Sequence, residues 1–421
     1  MIISQLAISC SSDDNSDTTD SQTLTEQIEA ILKQPYSKLT PSEQKVKLEA
    51  EANTMLVQMD KSKTSGAVEA MQNLGNLLSI GAVDILNGKN DNQIEDILNV
   101  SGVYGVYTWS NSKQDWIKTT STTELKFVFP AKKNLTTNNA SFSSKSVSSN
   151  IKVKIEDTYG NWVYDPKTGN YIQTPSINDY FYLPTSADAI LTIDNAQAAT
   201  FVANAKYTGT VETPDEASFK MVLNDGYSYE ISGGKKATAN TAKSSFSYNG
   251  KNLVSFTSGS TADIDALIKD DNLTQYRGKA NGLVQIMDNF IIIADMDIAG
   301  LASDEAALEK SLIYPDYNSK TYYADLNAYN LKESNGYVAA ANKNIKLLLV
   351  SKKDGTKIAD VIQHSEKGYS YYSNGTLVQY YDTVLYLKFN DNTEVEMGAY
   401  FSTGFDALET KFEDFLKAFE R

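Results

Sequence analysis

The spacing of apolar residues separates a helical region at the start of the chain from a longer β-rich region. Between residues 22 and 99 apolar side chains recur every three or four positions, which is the spacing of an amphipathic helix. This pattern predicts helices over residues 22–33, 40–60 and 66–88. From Val100 the period shortens to two, which is the alternation of a strand with one buried face. The chain is therefore expected to change from helix to strand at that position.

The segment from Thr40 to Glu43 carries the clearest local signal for the start of a helix. Thr40 can cap the first exposed amide groups, and Pro41 fits the first helical position. Glu43 can reach back to the Thr40 amide, which completes a capping box. These residues predict where the second helix begins.

Short turn sequences separate the alternating segments and predict antiparallel hairpins. Asn or Asp beside Gly favours a two-residue hairpin turn, and Pro in the second position favours a type I turn. Turns of these kinds are predicted at residues 165–169, 224–226, 249–250, 354–355 and 390–392.

Three segments depart from simple hairpins. The dense apolar centre of residues 283–298 predicts a strand buried on both faces, and residues 303–311 predict a helix with a Ser cap. The last segment, 404–421, predicts an amphipathic helix packed on the sheet, with binding in a partner's groove as the alternative. Its apolar face consists of Phe405, Leu408, Phe412, Phe415, Leu416 and Phe419.

These patterns predict an α+β fold. N-terminal helices pack on a large antiparallel, twisted or partly closed β-sheet, and the C-terminal amphipathic helix covers one edge or end of it. The expected regions are a signal and tether over 1–21, a helical region over 22–99, a β-rich body over 100–403 and the helix over 404–421. Two sub-sheets divided near residues 200–215 are an open alternative for the body.

Composition excludes several classes of function. The 421 residues are 41% hydrophobic, which is enough for a buried core, and the net charge is −15. Nucleic acids bind basic faces, so this charge argues against a nucleic-acid partner. With Cys10 as the sole cysteine no internal disulfide can form, and with His364 as the sole histidine a His-rich zinc site is excluded. No nucleotide-binding glycine motif occurs, so no cofactor is expected.

The first residues predict export and lipid attachment. A short apolar run ends in small residues before Cys10, and an acidic, serine-rich stretch begins with Ser11-Ser12-Asp13-Asp14. This junction resembles that of exported lipoproteins of the Bacteroidota, in which the cysteine receives a diacylglyceryl group. The resemblance implies lipidation of Cys10 and a surface-exposed lipoprotein of the outer membrane. No Lys or Arg precedes Cys10, so we expect the signal to be truncated.

Such an anchor would supply membrane attachment without a membrane-spanning helix. Lipid chains contribute about 0.8 kcal/mol for each buried CH₂ group, and two or more chains hold a protein stably at a membrane. The longest strongly apolar run, residues 290–294, is much shorter than the roughly 20 residues that a spanning helix needs. The sequence therefore predicts a membrane partner through lipid alone.

Aromatic residues near the predicted hairpins are the candidate ligand-binding site. Their exposed faces could stack on a sugar ring or a peptide. Tyrosine is also frequent on sheet surfaces, so packing within the sheet is the alternative role. The candidates are Trp109, Trp116, Trp162, Tyr164 and Tyr171. A second aromatic cluster comprises residues 369–372 and 380–381.

No catalytic residues stand out from the sequence. No Gly-x-Ser-x-Gly motif surrounds a serine, and His364 is predicted to lie in a polar loop at the end of a strand. The 53 acidic residues leave paired carboxylates for glycoside hydrolysis open without pointing to any pair. Acidic runs such as residues 270–272 lack the spacing of a calcium loop. No metal site is predicted.

These observations favour a non-catalytic lipoprotein of the cell envelope, with a binding or structural role towards a glycan or a protein partner. The first alternative is a carrier that holds a lipid or another hydrophobic ligand in a cavity enclosed by the sheet. The second alternative is a glycoside hydrolase that uses paired carboxylates.

Overall fold

A computed structural model describes residues 23–62, 64–80, 97–98, 100–155, 161–174, 179–236, 239–269 and 277–401. The helices described are α1 (Leu24–Leu32), α2 (Pro41–Ser62), α3 (Gly66–Ile80), α4 (Ile264–Lys269), α5 (Ile298–Ser311), α6 (Tyr322–Asn344) and α7 (Met397–Phe401). The strands are β1 (Gly105–Ser110), β2 (Asp115–Thr119), β3 (Leu125–Phe129), β4 (Ala140–Ile155), β5 (Asn161–Asp165), β6 (Asn170–Thr174), β7 (Asp179–Ile193), β8 (Ala196–Lys206), β9 (Glu216–Leu223), β10 (Tyr227–Gly234), β11 (Asn240–Tyr248), β12 (Lys251–Ser260), β13 (Lys279–Ile286), β14 (Phe290–Asp297), β15 (Ile345–Ser351), β16 (Thr356–Ser373), β17 (Thr376–Lys388) and β18 (Glu394–Glu396).

Sixteen of these strands form one continuous sheet, which confirms the prediction of a large antiparallel sheet. From one edge to the other the order is β18, β17, β16, β15, β14, β13, β12, β11, β10, β9, β8, β7, β4, β3, β1 and β2. All neighbours are antiparallel except β1 and β3, which are parallel. β8 pairs with β9 from Ala199 to Lys206, so the strands before and after residues 200–215 belong to the same sheet. β5 and β6 form a separate two-stranded hairpin.

The buried residues form three hydrophobic clusters along the sheet. The largest contains Met59 of α2 and Leu74 of α3 together with sheet residues such as Phe127 and Phe142. A second contains Ile28 and Ile31 of α1 with Ile291, Ile293, Leu348 and Val350 of β14 and β15. The third contains Leu48 of α2 with Phe290, Leu349, Leu387, Phe389 and Tyr400, among others. Burial of apolar surface in these clusters is the main stabilising contribution in a chain with no internal disulfide.

The predicted capping box and hairpin turns are confirmed. The Thr40 amide donates to Glu43 Oε2 at 2.8 Å, and the Glu43 amide donates to Thr40 Oγ1 at 3.3 Å. Each predicted turn connects two paired strands. Asp165 in the first of these turns accepts the Gly169 amide at 2.9 Å.

Residues 283–298 correct one prediction, because they form a hairpin where the sequence predicted one doubly buried strand. Met287 has a positive φ of 51°, which reverses the chain between β13 and β14. Asn289 holds the turn in place, since its Oδ1 accepts the Lys353 amide at 3.0 Å and the Ser351 hydroxyl at 3.2 Å. The following helix, α5, begins five residues earlier than predicted, because Asp297 rather than a serine accepts the Gly300 amide at 2.9 Å.

Several predictions concern residues outside the described ranges. They are the lipidation site at Cys10, the tether over 1–21, the end of the third helix beyond Ile80 and the amphipathic helix over 404–421. Among the helices that the structure describes, none combines the length and the apolar character needed to cross a bilayer.

The sequence did not predict α6, which is the longest described helix and lies against the hairpin of β16 and β17. Asn327 Nδ2 donates to Leu377 O at 2.7 Å, and its Oδ1 accepts the Gln379 amide at 2.7 Å. Asn330 Nδ2 donates to Gln379 O at 2.9 Å. These amide groups satisfy backbone atoms of β17 that would otherwise need another strand. They also fix the helix relative to the hairpin.

Candidate tyrosine-rich binding surface

Two of the three tryptophans of the predicted ligand site lie in the core, which corrects that part of the prediction. Trp109 of β1 and Trp116 of β2 are only 3% and 7% exposed. Their ring centroids are 5.3 Å apart, and Trp116 lies 5.5 Å from Phe127. Trp116 Nε1 donates to Leu77 O of α3 at 3.1 Å. Both rings are therefore occupied by neighbours and present no face to a ligand.

The remaining candidates lie on the separate hairpin of β5 and β6. Tyr164 and Tyr171 are 53% and 66% exposed, with ring centroids 5.5 Å apart in an edge-to-face contact. Trp162 pairs with Gln173 on this hairpin, and its side chain lies outside the described part of the chain. The structure thus divides the five predicted residues between the core and an isolated hairpin.

A larger group of aromatic residues lies where α6 meets the β16–β17 hairpin. We call it the tyrosine surface, and it consists of Tyr314, Tyr317, Tyr322, Tyr323, Tyr369, Tyr371 and Tyr380. Tyr317 and Tyr369 are 73% and 70% exposed. The hairpin half belongs to the second cluster predicted from sequence. The other half was missed because α6 was not predicted.

Three near-parallel rings lie together on the hairpin, and we call them the tile. The centroids of Tyr369, Tyr371 and Tyr380 are 6.0, 6.4 and 6.3 Å apart, and their planes differ by 23° to 30°. Equal separations exclude a column, in which the outer two rings would be about twice as far apart as neighbours. Tyr369 and Tyr380 are exposed, and Tyr371 is half-buried. The tile is therefore a broad aromatic area on one face of the hairpin.

A β-bulge determines which residues share the face of the tile. Lys367 pairs with Tyr381, but the next pair joins Ser370 to Gln379, so β16 has one extra residue there. An extra residue inverts the alternation of side chains beyond it. Glu366 before the bulge and Tyr371 after it therefore point to the same side of the sheet.

The other tyrosines of the surface lie on α6 and in the segment just before it. Tyr317 and Tyr323 both contact Tyr322 edge to face, with centroids 5.0 and 5.1 Å apart. The Tyr314 and Tyr322 hydroxyl oxygens are 3.3 Å apart. Ser373 Oγ at the end of β16 donates to Tyr323 Oη at 2.7 Å, which joins helix and hairpin.

Two hydroxyls of this surface, those of Tyr322 and Tyr371, have a raised pKa and hold their protons more tightly than an ordinary tyrosine. The hydrogen bond with Tyr314, followed by desolvation, raises the pKa of Tyr322 to about 12. Desolvation, followed by the neighbouring Tyr380, raises the pKa of Tyr371. A neutral phenol both donates and accepts hydrogen bonds. The surface therefore combines apolar ring area with hydrogen-bonding groups.

Four carboxylates extend the face of the tile towards the sheet edge, and we call them the acidic stripe: Glu366, Asp382, Glu394 and Glu396. Glu366 lies directly opposite Asp382, and Glu396 lies opposite Tyr386, in the strand register. Tyr386 donates a hydrogen bond to Glu366, which raises the pKa of Tyr386. Gly368 leaves room for Asp382, because a Cβ there would collide with its carboxylate.

His364 lies within β16 opposite Val384, which corrects the prediction that it occupies a polar loop. Its Nε2 is 2.9 Å from Glu394 Oε2, and Lys388 Nζ is 3.0 Å from Oε1 of the same carboxylate. The hydrogen bond from Lys388 is the main cause that lowers the pKa of Glu394. Lys388 and His364 thus both contact one member of the stripe, Glu394.

One pocket of about 530 Å³ lies elsewhere, between the end of α2 and the ends of β8 to β11. It opens to solvent, and its wall includes Lys61 and Asp225 as well as apolar groups. Lys61 Nζ lies 5.6 Å from the centre of the Tyr248 ring in that wall. Across the described ranges, no three His, Cys, Asp or Glu side chains converge as a metal site would require.

Comparison with protein-family models, with curated proteins and with solved structures gives no match to this chain. The tyrosine surface is therefore the candidate site on its geometry and chemistry alone.

Proposed function

We propose that this protein is a non-catalytic binding protein whose tyrosine surface docks a glycan or a protein partner. The observation that carries the proposal is the tile of Tyr369, Tyr371 and Tyr380 beside the tyrosines of α6. An exposed aromatic patch of this extent is costly in water unless it has a partner, and such patches mark interaction sites. The hydroxyls supply directional bonds to that partner.

The composition of the hairpin end supports this role. Residues 368–380 consist mainly of tyrosine, serine, glycine, asparagine and glutamine. Binding loops of antibodies favour nearly the same set, because tyrosine offers large contact area at low entropic cost and small polar residues adapt their hydrogen bonds. The two strands and α6 hold these residues on rigid elements, which reduces the ordering cost of binding.

The cell-envelope location belongs to the same proposal. Lipid attached to Cys10 would tether the chain to the outer membrane through the acidic segment up to residue 21. In the proposed arrangement the N-terminal helices cover the sheet, and the segment 404–421 adds an amphipathic helix over one edge. Labelling of cells with a radioactive or alkyne fatty acid would test the anchor, with Cys10→Ala as the control that must lose the label.

The binding proposal is tested with immobilised panels of oligosaccharides and of short peptides. We expect wild-type protein to bind members of at least one panel, and Tyr369→Ala with Tyr380→Ala to weaken that binding about tenfold or more, because alanine removes the ring area. Tyr104→Ala with Tyr182→Ala is the matched control on other exposed tyrosines and should bind like the wild type.

Two results would contradict the proposal. One is equal binding by wild type and the Tyr369 and Tyr380 variant. The other is turnover of an oligosaccharide or peptide in a product assay, with loss of that turnover when Glu366 or Asp382 is changed to the amide. The second result would favour the glycoside-hydrolase alternative.

A further inference from the structure

We propose that the partner of the tyrosine surface is a protein segment rich in lysine and arginine, which binds along the tile and the acidic stripe together. This inference rests on the proposed binding function and narrows it to one class of partner. Three features of the shared face support it: exposed tyrosine side chains, the Glu366 and Asp382 carboxylates without an ion-pair partner among the described residues, and the continuity of the two.

The tile offers ring faces to a cation. Elsewhere in this protein lysines lie over tyrosine rings, for example Lys357 over Tyr36 at 4.1 Å and Lys152 over Tyr180 at 4.2 Å. No lysine or arginine of the described ranges lies over Tyr369, Tyr371 or Tyr380. The negative face of an aromatic ring attracts ammonium and guanidinium groups within about 6 Å. Three adjacent rings thus provide an unused surface for such groups.

Glu366 and Asp382 are the two members of the acidic stripe whose negative charge is not balanced by a cation of the described residues. Glu366 and Asp382 face each other across the strand pair, where like charges destabilise a sheet. Among the described residues, no lysine or arginine lies within ion-pair distance of either one. Lys388 and His364 both contact Glu394 instead. A bound cation would relieve the repulsion between Glu366 and Asp382.

The continuity of tile and stripe distinguishes this partner from a neutral glycan. The bulge in β16 brings Glu366 onto the face of Tyr371, and β17 places Tyr380 and Asp382 on that face two residues apart. A neutral sugar could stack on the rings but would leave the facing carboxylates unexplained. A lysine or arginine can pack its stem on a ring and direct its charge to a carboxylate. A basic segment therefore matches both halves of the face.

The test is isothermal titration of the full chain with three probes: a short peptide of lysine, arginine, serine and glycine, the same peptide with acetyl-lysine and citrulline, and a neutral hexasaccharide. We expect the basic peptide to bind, and its binding to weaken as salt is added. The affinity of the neutralised peptide should be at least about tenfold lower, because this peptide keeps the shape and loses the charge.

Variants then locate the site. Glu366→Gln with Asp382→Asn should weaken binding of the basic peptide about tenfold, since the amides keep the shape and lose the charge. Asp188→Asn with Glu212→Gln changes the net charge equally at exposed positions elsewhere, and it should change binding less than about twofold. Tyr369→Leu with Tyr380→Leu should weaken binding, whereas phenylalanine at both positions should preserve it, because only the ring has a π face.

Each contrary result separates the two proposals. Equal weakening by the control carboxylate pair would mean general attraction to an acidic protein and would overturn the basic partner. So would unchanged binding in the leucine variant. A third outcome is that the hexasaccharide binds, and that its binding needs Tyr369 and Tyr380 but is unchanged by the amide substitutions. In that case the proposal of a basic partner is wrong and the proposed binding function stands. If no probe binds, the basic partner is rejected, and the binding panels described above decide the function.

Discussion

Tyr227 shows how single polar groups connect the helices and the sheet. Its ring is buried between Phe246 and Tyr248, and its hydroxyl donates to Gln58 O of α2 at 2.5 Å. Desolvation raises the pKa of Tyr227 to about 12, so the hydroxyl keeps its proton under physiological conditions. The alternation of β10 indicates that this residue points inward. The sequence gives no sign of its helical partner, because that contact joins residues far apart in the chain.

Tyr227→Phe is expected to lower the free energy of unfolding by about 0.5 to 1.5 kcal/mol, because it removes the hydrogen bond from the Tyr227 hydroxyl to Gln58 O. Urea unfolding with an unchanged m-value is the measurement. Tyr164→Phe, at an exposed hydroxyl, should change stability by less than about 0.5 kcal/mol. A Tyr227→Phe protein as stable as wild type would mean that the hydroxyl bond contributes nothing.

Trp109 and Trp116 illustrate the limit of prediction for single residues. The sequence predicted that both lie on or beside hairpins with a face available to a ligand, yet both lie in the core. Period-two alternation separates the two faces of a strand, but it does not show which face packs against a helix. The hydrogen bond from Trp116 to Leu77 spans a helix and a strand that only the folded chain brings together.

Among the secondary-structure elements, α6 was missed because its contacts are polar. Its only buried side chains in the described fold are Leu326, Asn330 and Ala340, too few for an apolar stripe. Asparagine also has low helix propensity, which weakens any prediction from sequence. By contrast, the start of α2 was predicted correctly, because the capping contacts between Thr40 and Glu43 join residues that are close together in the sequence.

Loss of the amide contacts should loosen α6 from the hairpin. Asn327→Ala with Asn330→Ala removes three side-chain bonds to the backbone of β17 and should cost about 2 to 4 kcal/mol, at about 1 kcal/mol or more for each bond. Asn335→Ala is the matched control on the exposed side of α6, and it should be neutral or slightly stabilising because alanine favours a helix. Hydrogen exchange of the β17 amides would report the change, and unchanged protection of the Gln379 amide would contradict it.

At the scale of the whole molecule, the order of the strands explains why the large antiparallel sheet could be predicted from the sequence. Most strands pair with their neighbours in sequence, so local turns determine most of the topology. The exceptions could not be inferred locally: β1 pairs with β3 in parallel, and β4 pairs with β7 across the β5–β6 hairpin. The tyrosine surface needed this three-dimensional arrangement, since it combines residues about 50 positions apart.

The pH at which the tyrosines ionise should differ between the folded and the unfolded protein. The pKa is raised for Tyr36, Tyr207, Tyr227, Tyr322, Tyr329, Tyr337, Tyr371, Tyr386 and Tyr400, through burial, through hydrogen bonds to carboxylates or through neighbouring tyrosines. In an unfolded chain tyrosines ionise near pH 10. Because the folded values are higher, this contribution to stability is complete below about pH 10 and is lost as the pH rises through the folded values.

Ultraviolet absorbance is the measurement for this titration. The native protein should titrate in two phases, with a group of tyrosines delayed beyond pH 10, and the same protein in denaturant should give one phase near pH 10. Stability measured by urea unfolding should fall as the pH is raised past that point. A single native phase that coincides with the denatured one would contradict the burial and bonding described for these side chains.

The lengths of the outermost strands have a consequence for behaviour in solution. β18 has three residues and β2 has five, although the interior strands reach eighteen. A long, flat edge strand on such a wide sheet would be a template with which strands of other chains could pair. Such pairing is a first step towards fibrils. Short edge strands offer few unpaired backbone groups for hydrogen bonds with another chain. The protein should therefore stay dispersed when concentrated, as light scattering over time would show.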